Sequence, residues 1–548
     1  MIKLIPVPIP INGLNTIDPT VPIESGYARE LTNLFIANGR VMPRPACKVK
    51  HYHSSLSHVA AWFDTSTGTP YTIEFTGGLI RNVSTGFSST NIGGNVSGLA
   101  TMFKHNNIDI LCGCREPRSP VGPTFTSHGF VLSKITDETT ITAGCSHKGR
   151  PYFTNSAYVE YGDVGQVTGT FASDGLAGGY FDPLPYLDGQ YVLRIFSVTV
   201  QQGNESDNVL VLFGTGGKVL IYSGDWPDSD NWQLVASYNM PKPASLVSFL
   251  EIDGDIMVAT PEYCYWFRDL LNAGAISAYE NRPSKPIQNL WQSLDWETTI
   301  SDYRSAHIFY IKNLLNSDDE NITNIDAIVF QSAYGAAPGE ALGTMANYEN
   351  YSVYLAYMRN TKSWALWLMT HFYSPVKQGL DANTLEALGS VGDIKTLTIG
   401  NLVDEYFSTG STSVVDIDIE CNWKTPFIQP FKGVEIAVKG VRLFFKNSIS
   451  GFFNLIRTIY DFSDFGTKFA FATQDTSGSP LNPANSNSSG IDGSTISYGI
   501  YSTLTNPGGI GAGVSIQFNF QRKNGSSEDQ IQEILGATIL ADDGGVLY

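Results

Sequence analysis

The strongest constraint on the fold is a series of short apolar runs that recurs about every ten residues through the first half of the chain. Most runs alternate apolar with polar residues, are rich in Thr, Val, Ile, Tyr and Phe, and end at Gly, Asn, Asp, Ser or Pro, which is typical of β-strands joined by tight turns. So many short strands at an even spacing predict a propeller, a large sandwich or a barrel. The runs occupy residues 57–63, 70–76, 97–103, 107–112, 129–135, 151–161, 191–200, 209–213, 217–222, 233–238, 245–252, 255–260 and 262–267.

An internal repeat favours the propeller among these folds. The segments Lys148–Asp163 and Gly216–Asp225 each end a pair of strands with an aromatic residue, a Gly and an Asp at the turn. Stacked four-stranded blades produce such repetition, because each blade buries its faces only against its neighbours. We therefore predict an all-β fold with a β-propeller-like core, additional β-rich lobes and few short helices, while the repeat leaves the number of blades open.

Two segments have helical spacing. The segment Glu24–Phe35 places Ala28 and Leu31 on one face, and Asn38-Gly39 follows it as a helix-stop signal. The segment Asp529–Leu535 is long enough for one or two turns. We expect a short helix at each place.

Changes in composition divide the chain into five predicted parts. Residues 276–350 contain linker-like and acidic polar tracts, and residues 474–495 are polar and of low complexity. The parts are an N-terminal arm with a short helix that closes into the core (1–50), propeller-like blades (51–275), a junction or inserted lobe (276–350), further strands of a platform (351–470), and a polar loop with C-terminal strands (471–548).

The charge balance restricts the function. Lys and Arg number 34 against 52 Asp and Glu, which gives a formal net charge of −18 and a pI near 4.8. This argues against a broad surface that holds nucleic acid by its phosphates, but not against a surface past which DNA slides. No run approaches the roughly 18 apolar residues of a membrane span. Prolines interrupt the apolar N-terminal segment, so we expect an unsecreted protein made in the cytosol.

The cysteines and histidines do not form a recognisable metal site. The six cysteines include no CxxC pair and are few for the length, so we expect buried free thiols, with Cys112 and Cys114 on one face of a strand. His51 and His53 place two imidazoles on one strand face, but no third ligand follows at a suitable spacing. We interpret them as surface histidines.

Two sets of carboxylates have both a functional and a simpler interpretation. Asp416, Asp418 and Glu420 alternate along one predicted strand, which suits either a Ca²⁺ site or a solvated strand face, and we favour the second. Asp228 and Asp230 lie in a turn similar to those of sialidase blades, but the sequence does not give the separation that a glycosidase needs. Because the chain has no GxSxG, HExxH or Walker signature, we predict no enzymatic activity, no cofactor and no metal.

The N-terminal segment carries a series of motifs that resembles a known family. Its residues are Gly13, Asn15, Thr16, Ala28, Leu31, Asn33, Gly39, Arg44 and Pro45. They resemble "GG-x-N-T-R-D", "A-x-x-L-x-N" and "G-x-x-x-x-R-P-G", which open the tail nozzle, or tail tubular B, proteins of short-tailed bacteriophages and relatives called phage stabilisation proteins. The sequence departs from these motifs at Asn12, Ile17 and Ala46, where that family has Gly, Arg and Gly.

Other parts of the chain resemble the same family, and the match is weakest over 270–350. Asn360-Thr361-Lys362 with Trp364 is similar to the family's "N-T-x-T-x-A-W" turn. The motif residues are structural, namely Gly in turns, Pro with fixed φ and aromatic blade anchors, so no catalytic residue is carried over. The remaining matching stretches are 148–161, 213–260, 392–407, 513–520 and 531–540.

The resemblance implies a structural virion protein of the phage tail. Family members form a homo-oligomeric ring, usually of six copies, at the distal end of the tail. They lie beneath the portal and adaptor proteins, contact fibres or spikes, and surround the channel through which double-stranded DNA leaves without specific binding. Acidic faces would repel the passing phosphates. The predicted lumen-facing acidic residues are Asp416, Asp418, Glu420, Asp318, Asp319 and Glu320.

Two other classes of function remain open. One is a head–tail stabilisation protein or a peripheral receptor-binding tail protein, which copy number and position in the particle would distinguish from a nozzle. The other is a propeller glycosidase acting on host surface glycan, which would need a cleft with a paired acid and nucleophile.

Overall fold

The computed structural model describes most of the chain in separate segments. The described residues are 3–16, 26–37, 39–52, 58–64, 69–76, 79–82, 88–91, 101–112, 118–121, 124–127, 129–132, 134–135, 141–171, 179–202, 205–296, 306–314, 325–333, 351–370, 372, 377–378, 385–388, 393–398, 403–407, 414–419, 421–426, 428, 434–447, 451–459, 497–503, 515–522 and 532–546.

Within these residues the chain forms strands β1 to β43 and two α-helices. The N-terminal strands are β1 (Lys3–Val7), β2 (Gly13–Leu14), β3 (Tyr27–Ala28), β4 (Glu30–Thr32), β5 (Leu34–Ala37), β6 (Arg40–Pro43) and β7 (Ala46–Tyr52). The next strands are β8 (His58–Asp64), β9 (Thr69–Thr76), β10 (Leu79–Asn82), β11 (Ser88–Asn91), β12 (Thr101–His105), β13 (Ile108–Cys112), β14 (Arg118–Val121), β15 (Thr124–Ser127), β16 (Phe130–Val131), β17 (Ala143–His147), β18 (Arg150–Thr154), β19 (Val159–Tyr161), β20 (Gly169–Thr170), β21 (Gly179–Phe181), β22 (Val192–Gln202), β23 (Glu205–Gly214), β24 (Lys218–Ser223), β25 (Gln233–Asn239), β26 (Phe249–Ile252), β27 (Asp255–Ala259) and β28 (Cys264–Trp266).

The helices α1 (Phe267–Glu280) and α2 (Gln288–Ser293) separate these strands from the rest. The remaining strands are β29 (His307–Leu314), β30 (Ile325–Gln331), β31 (Tyr351–Met358), β32 (Ser363–Thr370), β33 (Lys377–Gln378), β34 (Leu385–Leu388), β35 (Asp393–Thr398), β36 (Val403–Phe407), β37 (Val414–Asp418), β38 (Cys421–Lys424), β39 (Val434–Asn447), β40 (Gly451–Ile459), β41 (Ser497–Thr503), β42 (Ser515–Arg522) and β43 (Gln532–Val546). Every predicted apolar run contains at least part of a strand, so the all-β prediction is confirmed.

Seven groups of strands follow one another as blades in the described part of the chain. Blades 1 to 4 are the antiparallel sheets β8–β11, β12–β15, β17-β18-β19-β21 and β22–β25. Blade 5 has the three strands β26–β28, and blade 6 is β29–β32. In blade 7, β33, β34 and β35 are completed by β7 from the N-terminal region, with Thr398 opposite Ala46.

Contacts between strands of different blades arrange the blades in a ring. β12 contacts β17, β17 contacts β22, and β26 contacts β29. β33 and β34 of blade 7 contact β8 of blade 1. This arrangement is a β-propeller, in which the first strands surround a central channel. The N-terminal strand β7 therefore takes part in closing the ring.

Apolar clusters fill the spaces between neighbouring blades. Tyr152 of blade 3 packs with Leu210 of blade 4, and Phe213 of blade 4 lies 4.9 Å, between ring centroids, from Phe249 of blade 5. Ile110 of blade 2 is buried with residues of blade 3. Burial of each blade against its neighbours is the physical reason for the weak sequence repeat.

Strands from both ends of the chain build two further sheets. One sheet has the order β41-β39-β43-β6-β5, with β1 beside β43. The other continues blade 6 from β32 through β4, β38 and β42 to β40. We call these added strands the platform. Strands of the predicted junction (276–350) and of the predicted platform (351–470) thus share one sheet in blade 6.

Both predicted helices are wrong. The segment Glu24–Phe35 contains β3, β4 and the start of β5, because Gly26 and Asn33 have positive φ angles of 100° and 56° that interrupt a helix. Ala28 and Leu31 are buried as predicted, but on short strands. Residues 532–535 of the second segment belong to β43, where Ile534 pairs with Phe445, and residues 529–531 lie outside the described residues.

The helix that does form, α1, follows β28 at the position of a fourth strand in blade 5. It contacts β25, β27 and β28, and it buries Phe267, Leu270 and Ala278. Gly274, with a φ of 79° and a ψ of −175°, interrupts it. Among the helices in the described part of the chain, none is both long and apolar enough to cross a membrane.

Candidate functional site

The structure describes two of the six predicted lumen-facing acidic residues. Asp416 and Asp418 lie on β37, opposite Glu405 and Val403 of β36. The single strand predicted to carry Asp416 and Asp418 ends at Asp418, since β37 pairs with β36, whereas the next strand, β38, pairs with β4 and β42. The remaining predicted residues lie outside the described residues: Glu420, Asp318, Asp319 and Glu320.

Two motif residues of the N-terminal segment, Asn33 and Arg44, meet Leu368 and Asp404 at one buried place, which we call the motif junction. The Arg44 guanidinium donates to both carboxylate oxygens of Asp404, at 3.1 and 2.5 Å, and to the carbonyl of Leu368 at 2.7 Å. Its Nε donates to the Oδ1 of Asn33 at 3.0 Å. Arg44 is 1% exposed, so this ion pair is buried. The hydrogen bonds above satisfy its charges within the protein.

Asn33 connects the N-terminal strands to blade 6. Its left-handed backbone lets its N–H donate to the carbonyl of Leu366 at 2.7 Å while its side-chain oxygen accepts from the N–H of Leu368 at 2.8 Å. The indole of Trp367 donates to the carbonyl of Leu34 at 2.7 Å. Asn tolerates this backbone conformation better than most residues, which explains why Asn stands at this position.

Gly13 belongs to the same region. It pairs with Trp364 of β32, which follows the Asn360-Thr361-Lys362 turn. The φ of Gly13 is +76°, and a Cβ atom there would lie 2.5 Å from the Trp364 nitrogen. Only Gly satisfies both the backbone angle and the close approach.

No sequence pattern identified Asp404 or its neighbour Glu405 as residues that hold strands together. Asp404 also accepts from the N–H of Cys47 at 2.8 Å, and Glu405 accepts from Lys48 Nζ at 3.0 Å, so β36 is held against β7. The sequence signal for Asp404 was its position between apolar residues of a strand, because a buried acidic side chain requires a partner. Arg44, inside another apolar stretch, was that partner.

A second cluster joins blades 3 and 4 through the loop 224–232, which we call the clasp loop. The Arg150 guanidinium lies 4.8 Å from the centroid of the Trp226 ring, and the Tyr161 hydroxyl donates to Asp228. Lys148 Nζ lies 3.7 Å from a carboxylate oxygen of Asp225. The sialidase-like turn is therefore a connection between blades, and Asp230 in the same loop is exposed.

Two histidines, at the ends of β12 and β17, connect blade 2 to blade 3 and blade 3 to blade 4. His105 Nδ1 lies 2.8 Å from the Ser146 hydroxyl, and His147 Nδ1 lies 2.9 Å from the Ser197 hydroxyl, so blades 2 to 3 and 3 to 4 are joined in the same way. His147 is fully buried, and desolvation, with a smaller effect of Lys148, lowers its pKa to about 4. This imidazole is therefore neutral near pH 7.

Five of the six cysteines lie in the described part of the chain. Cys47, Cys112, Cys145, Cys264 and Cys421 are buried as reduced thiols, as predicted, whereas Cys114 lies outside the described residues. Within the described part of the chain, no group of three or more His, Cys, Asp or Glu residues is arranged to hold a metal ion. The structure describes His51 only as part of the β7 backbone.

No protein-family model and no curated protein sequence matches this chain. Virginiamycin B lyase from Staphylococcus aureus is 9% identical over 64% of this chain and 99% of that one, with a TM-score of 0.35. The Cps50 (Swd1) β-propeller domain from Myceliophteria thermophila is 8% identical over 64% and 99%, with a TM-score of 0.32. BBS1N, solved in complex with ARL6DN, is 10% identical over 65% and 96%, with a TM-score of 0.31. At these scores the similarities carry no conclusion about function, and the strand topology of this chain alone defines its propeller.

Proposed function

We propose that this chain is a structural subunit of the tail nozzle of a short-tailed bacteriophage. In this role it would form a homo-oligomeric ring, six copies by family expectation, in the virion tail. It would conduct double-stranded DNA during genome ejection without binding it, and it would contact adaptor or portal-side proteins and fibres or spikes.

The observation that supports this proposal is the motif junction. Residues that carry the family resemblance, Asn33, Arg44 and Trp364, are scattered over more than three hundred positions of the sequence. In the structure they lie in one connected region that joins the N-terminal strands to blade 6. Residues brought together in this way form one structural unit. This is expected when the motifs of a family maintain its architecture.

The composition is consistent with the same role. A net charge of −18 opposes retention of a polyanion by Coulomb repulsion. We assign no catalytic residue, because Asp228, one of the glycosidase candidates, is engaged by Tyr161 in the clasp loop. A non-enzymatic role remains a prediction.

The oligomeric state and position in the particle test the proposal. Light scattering on the purified chain should give about six times the 59.8 kDa of one copy, and a particle reconstruction should place the copies around the tail axis. Copies at the periphery of the particle would favour a receptor-binding or stabilising protein instead. Turnover of host surface glycan by the purified chain, lost in Asp228→Asn, would favour a glycosidase.

A further inference from the structure

Blade 4 has the longest open outer edge among the blades in the described part of the chain. Its outer strand, β25, has seven residues and pairs only with β24. The outer strands of blades 1 to 3, β11, β15 and β21, have only three or four residues. Blade 5 has α1 at this position, β4 continues blade 6 beyond β32, and Asp404 and Glu405 accept backbone N–H groups of β7 in blade 7. Proteins shorten or cover edge strands in these ways because an open edge can pair with another chain.

β25 also lacks the charges that usually protect an open edge. Its sequence, QLVASYN, contains no Asp, Glu, Lys, Arg or Pro. Every second side chain along it is exposed, and Val235 is 46% exposed. A bulge at Val235 interrupts the pairing with β24, but residues 236–239 pair with it regularly. The strand therefore keeps a regular, uncharged edge over its second half.

The helix α1 extends this uncharged surface. It contacts β25, and Leu271 of α1 packs against the same apolar cluster as Tyr238 of β25. Residues 270–279 include no charged side chain, and Ile276 is 80% exposed. We call the following exposed side chains of the two elements the neutral face: Gln233, Val235, Ser237, Asn239, Ala273 and Ile276.

The charge of the chain indicates which partner fits the neutral face. Exposed acidic residues lie elsewhere on blades 3 and 4: Asp182, Asp188, Asp225 and Asp230. Two copies that each carry a net charge of −18 repel one another, and the repulsion is smallest where uncharged surfaces meet. Val235 and Ile276 require apolar contacts, which the same face of another copy supplies. The neutral face is thus complementary to itself, as a two-fold interface requires.

We propose that the neutral face binds the same face of a second copy of this chain, with the open edges of the two β25 strands side by side and antiparallel. Such a pairing brings only uncharged side chains together across the two strands. A two-fold contact uses one face twice, whereas neighbouring subunits of a ring meet through two different faces. The proposal is therefore independent of the proposed tail function.

Cysteine cross-linking of the full chain tests the contact directly. Ser237→Cys places a thiol on the exposed side of β25, and a short bis-maleimide reagent should join two copies into a species of twice 59.8 kDa on a denaturing gel. Thr199→Cys, at an exposed position on β22 of the same blade, is the matched control and should give no such species. Wild type treated in the same way reports any reaction of the native thiols.

A charge placed on the neutral face gives a second measurement. In the Ser237→Cys background, Ile276→Glu should lower the yield of the joined species about tenfold or more, because the contact would desolvate an unpaired carboxylate. Thr199→Glu adds the same charge at an exposed position outside the neutral face and should leave the yield unchanged. Equal yields in Ser237→Cys and Thr199→Cys, or a yield that Ile276→Glu does not lower, would overturn the proposal.

Discussion

The guanidinium of Arg44 and the carboxylate of Asp404, 360 positions apart in the sequence, form a buried ion pair with two hydrogen bonds. Arg44 precedes β7, which completes blade 7, and Asp404 lies on β36, which packs against β7. The pair therefore fixes the strand that closes the propeller. Asn33 and Leu368 add the connection to blade 6, so ring closure and platform attachment depend on the same contacts.

Arg44→Met should lower the apparent free energy of unfolding by about 3–5 kcal/mol, because it leaves Asp404 charged, buried and unpaired. The measurement is the denaturant midpoint. Lys218→Met removes the partner of Asp188, which is 66% exposed, and should cost less than about 1 kcal/mol. Equal losses in the two variants would contradict a special role for the buried pair.

Gly13→Ala should destabilise the chain more than Gly39→Ala. Both glycines have positive φ, so both variants carry a backbone cost of about 1–2 kcal/mol. A Cβ at Gly13 also meets the backbone of Trp364, whereas one at Gly39 meets nothing within 4 Å, which should add about 1–3 kcal/mol of overpacking. Thermal unfolding of the two variants measures the difference, and identical melting temperatures would argue against the close approach.

Acid should destabilise the fold through His147. Its folded pKa of about 4 lies below the ordinary value of 6.5, so between these values the unfolded chain binds a proton that the folded chain excludes. The contribution is complete above pH 6.5 and falls by about 3 kcal/mol as the pH drops to 4. In His147→Gln this dependence is absent, so the stability advantage of the wild type in urea should shrink between pH 7 and pH 4. Parallel pH profiles would exclude the effect.

The fold class was predictable because the alternation of apolar and polar residues along a β-strand is a local property of the sequence. The strands around Tyr152, Leu210 and Val258 lie within predicted runs, since alternation and turn residues specify them without distant partners. The N-terminal arm was predicted to close into the core, but its strand partner was not predictable, because the pairing of Ala46 with Thr398 depends on residues far apart in the chain.

The two errors at the helices have related physical causes. The spacing of Ala28 and Leu31 fits one helical face, but it also fits consecutive short strands that are buried in different sheets. Conversely, Phe267 and Leu270 have helical spacing in α1, but Phe267 directly follows β28 and was taken as the end of the apolar run 262–267. The motif junction was predictable only as separate segments, since no local pattern pairs Arg44 with Asp404, 360 positions away in the matching stretch 392–407.

The clasp loop should couple blades 3 and 4 through Tyr161 and Asp228. A double-mutant cycle with Tyr161→Phe and Asp228→Ala should give a coupling energy of about 1 kcal/mol, limited by the solvent exposure of Asp228. The variant Asp230→Ala, in the same loop but exposed, should show no coupling to Tyr161→Phe. Additive losses for Tyr161 and Asp228 would show that their hydrogen bond does not stabilise the fold.

If the acidic strand β37 lines the lumen of a ring, reversal of its charge should make the assembly retain DNA. Asp416→Lys combined with Asp418→Lys should raise affinity for duplex DNA and introduce a steep salt dependence, because each new phosphate contact releases counterions. The control, Asp182→Lys with Asp188→Lys, changes the net charge equally at exposed positions near blade 3. Filter binding between about 50 and 200 mM salt compares the variants. Equal binding by the two double variants would attribute the effect to net charge alone, and it would remove β37 from the lumen.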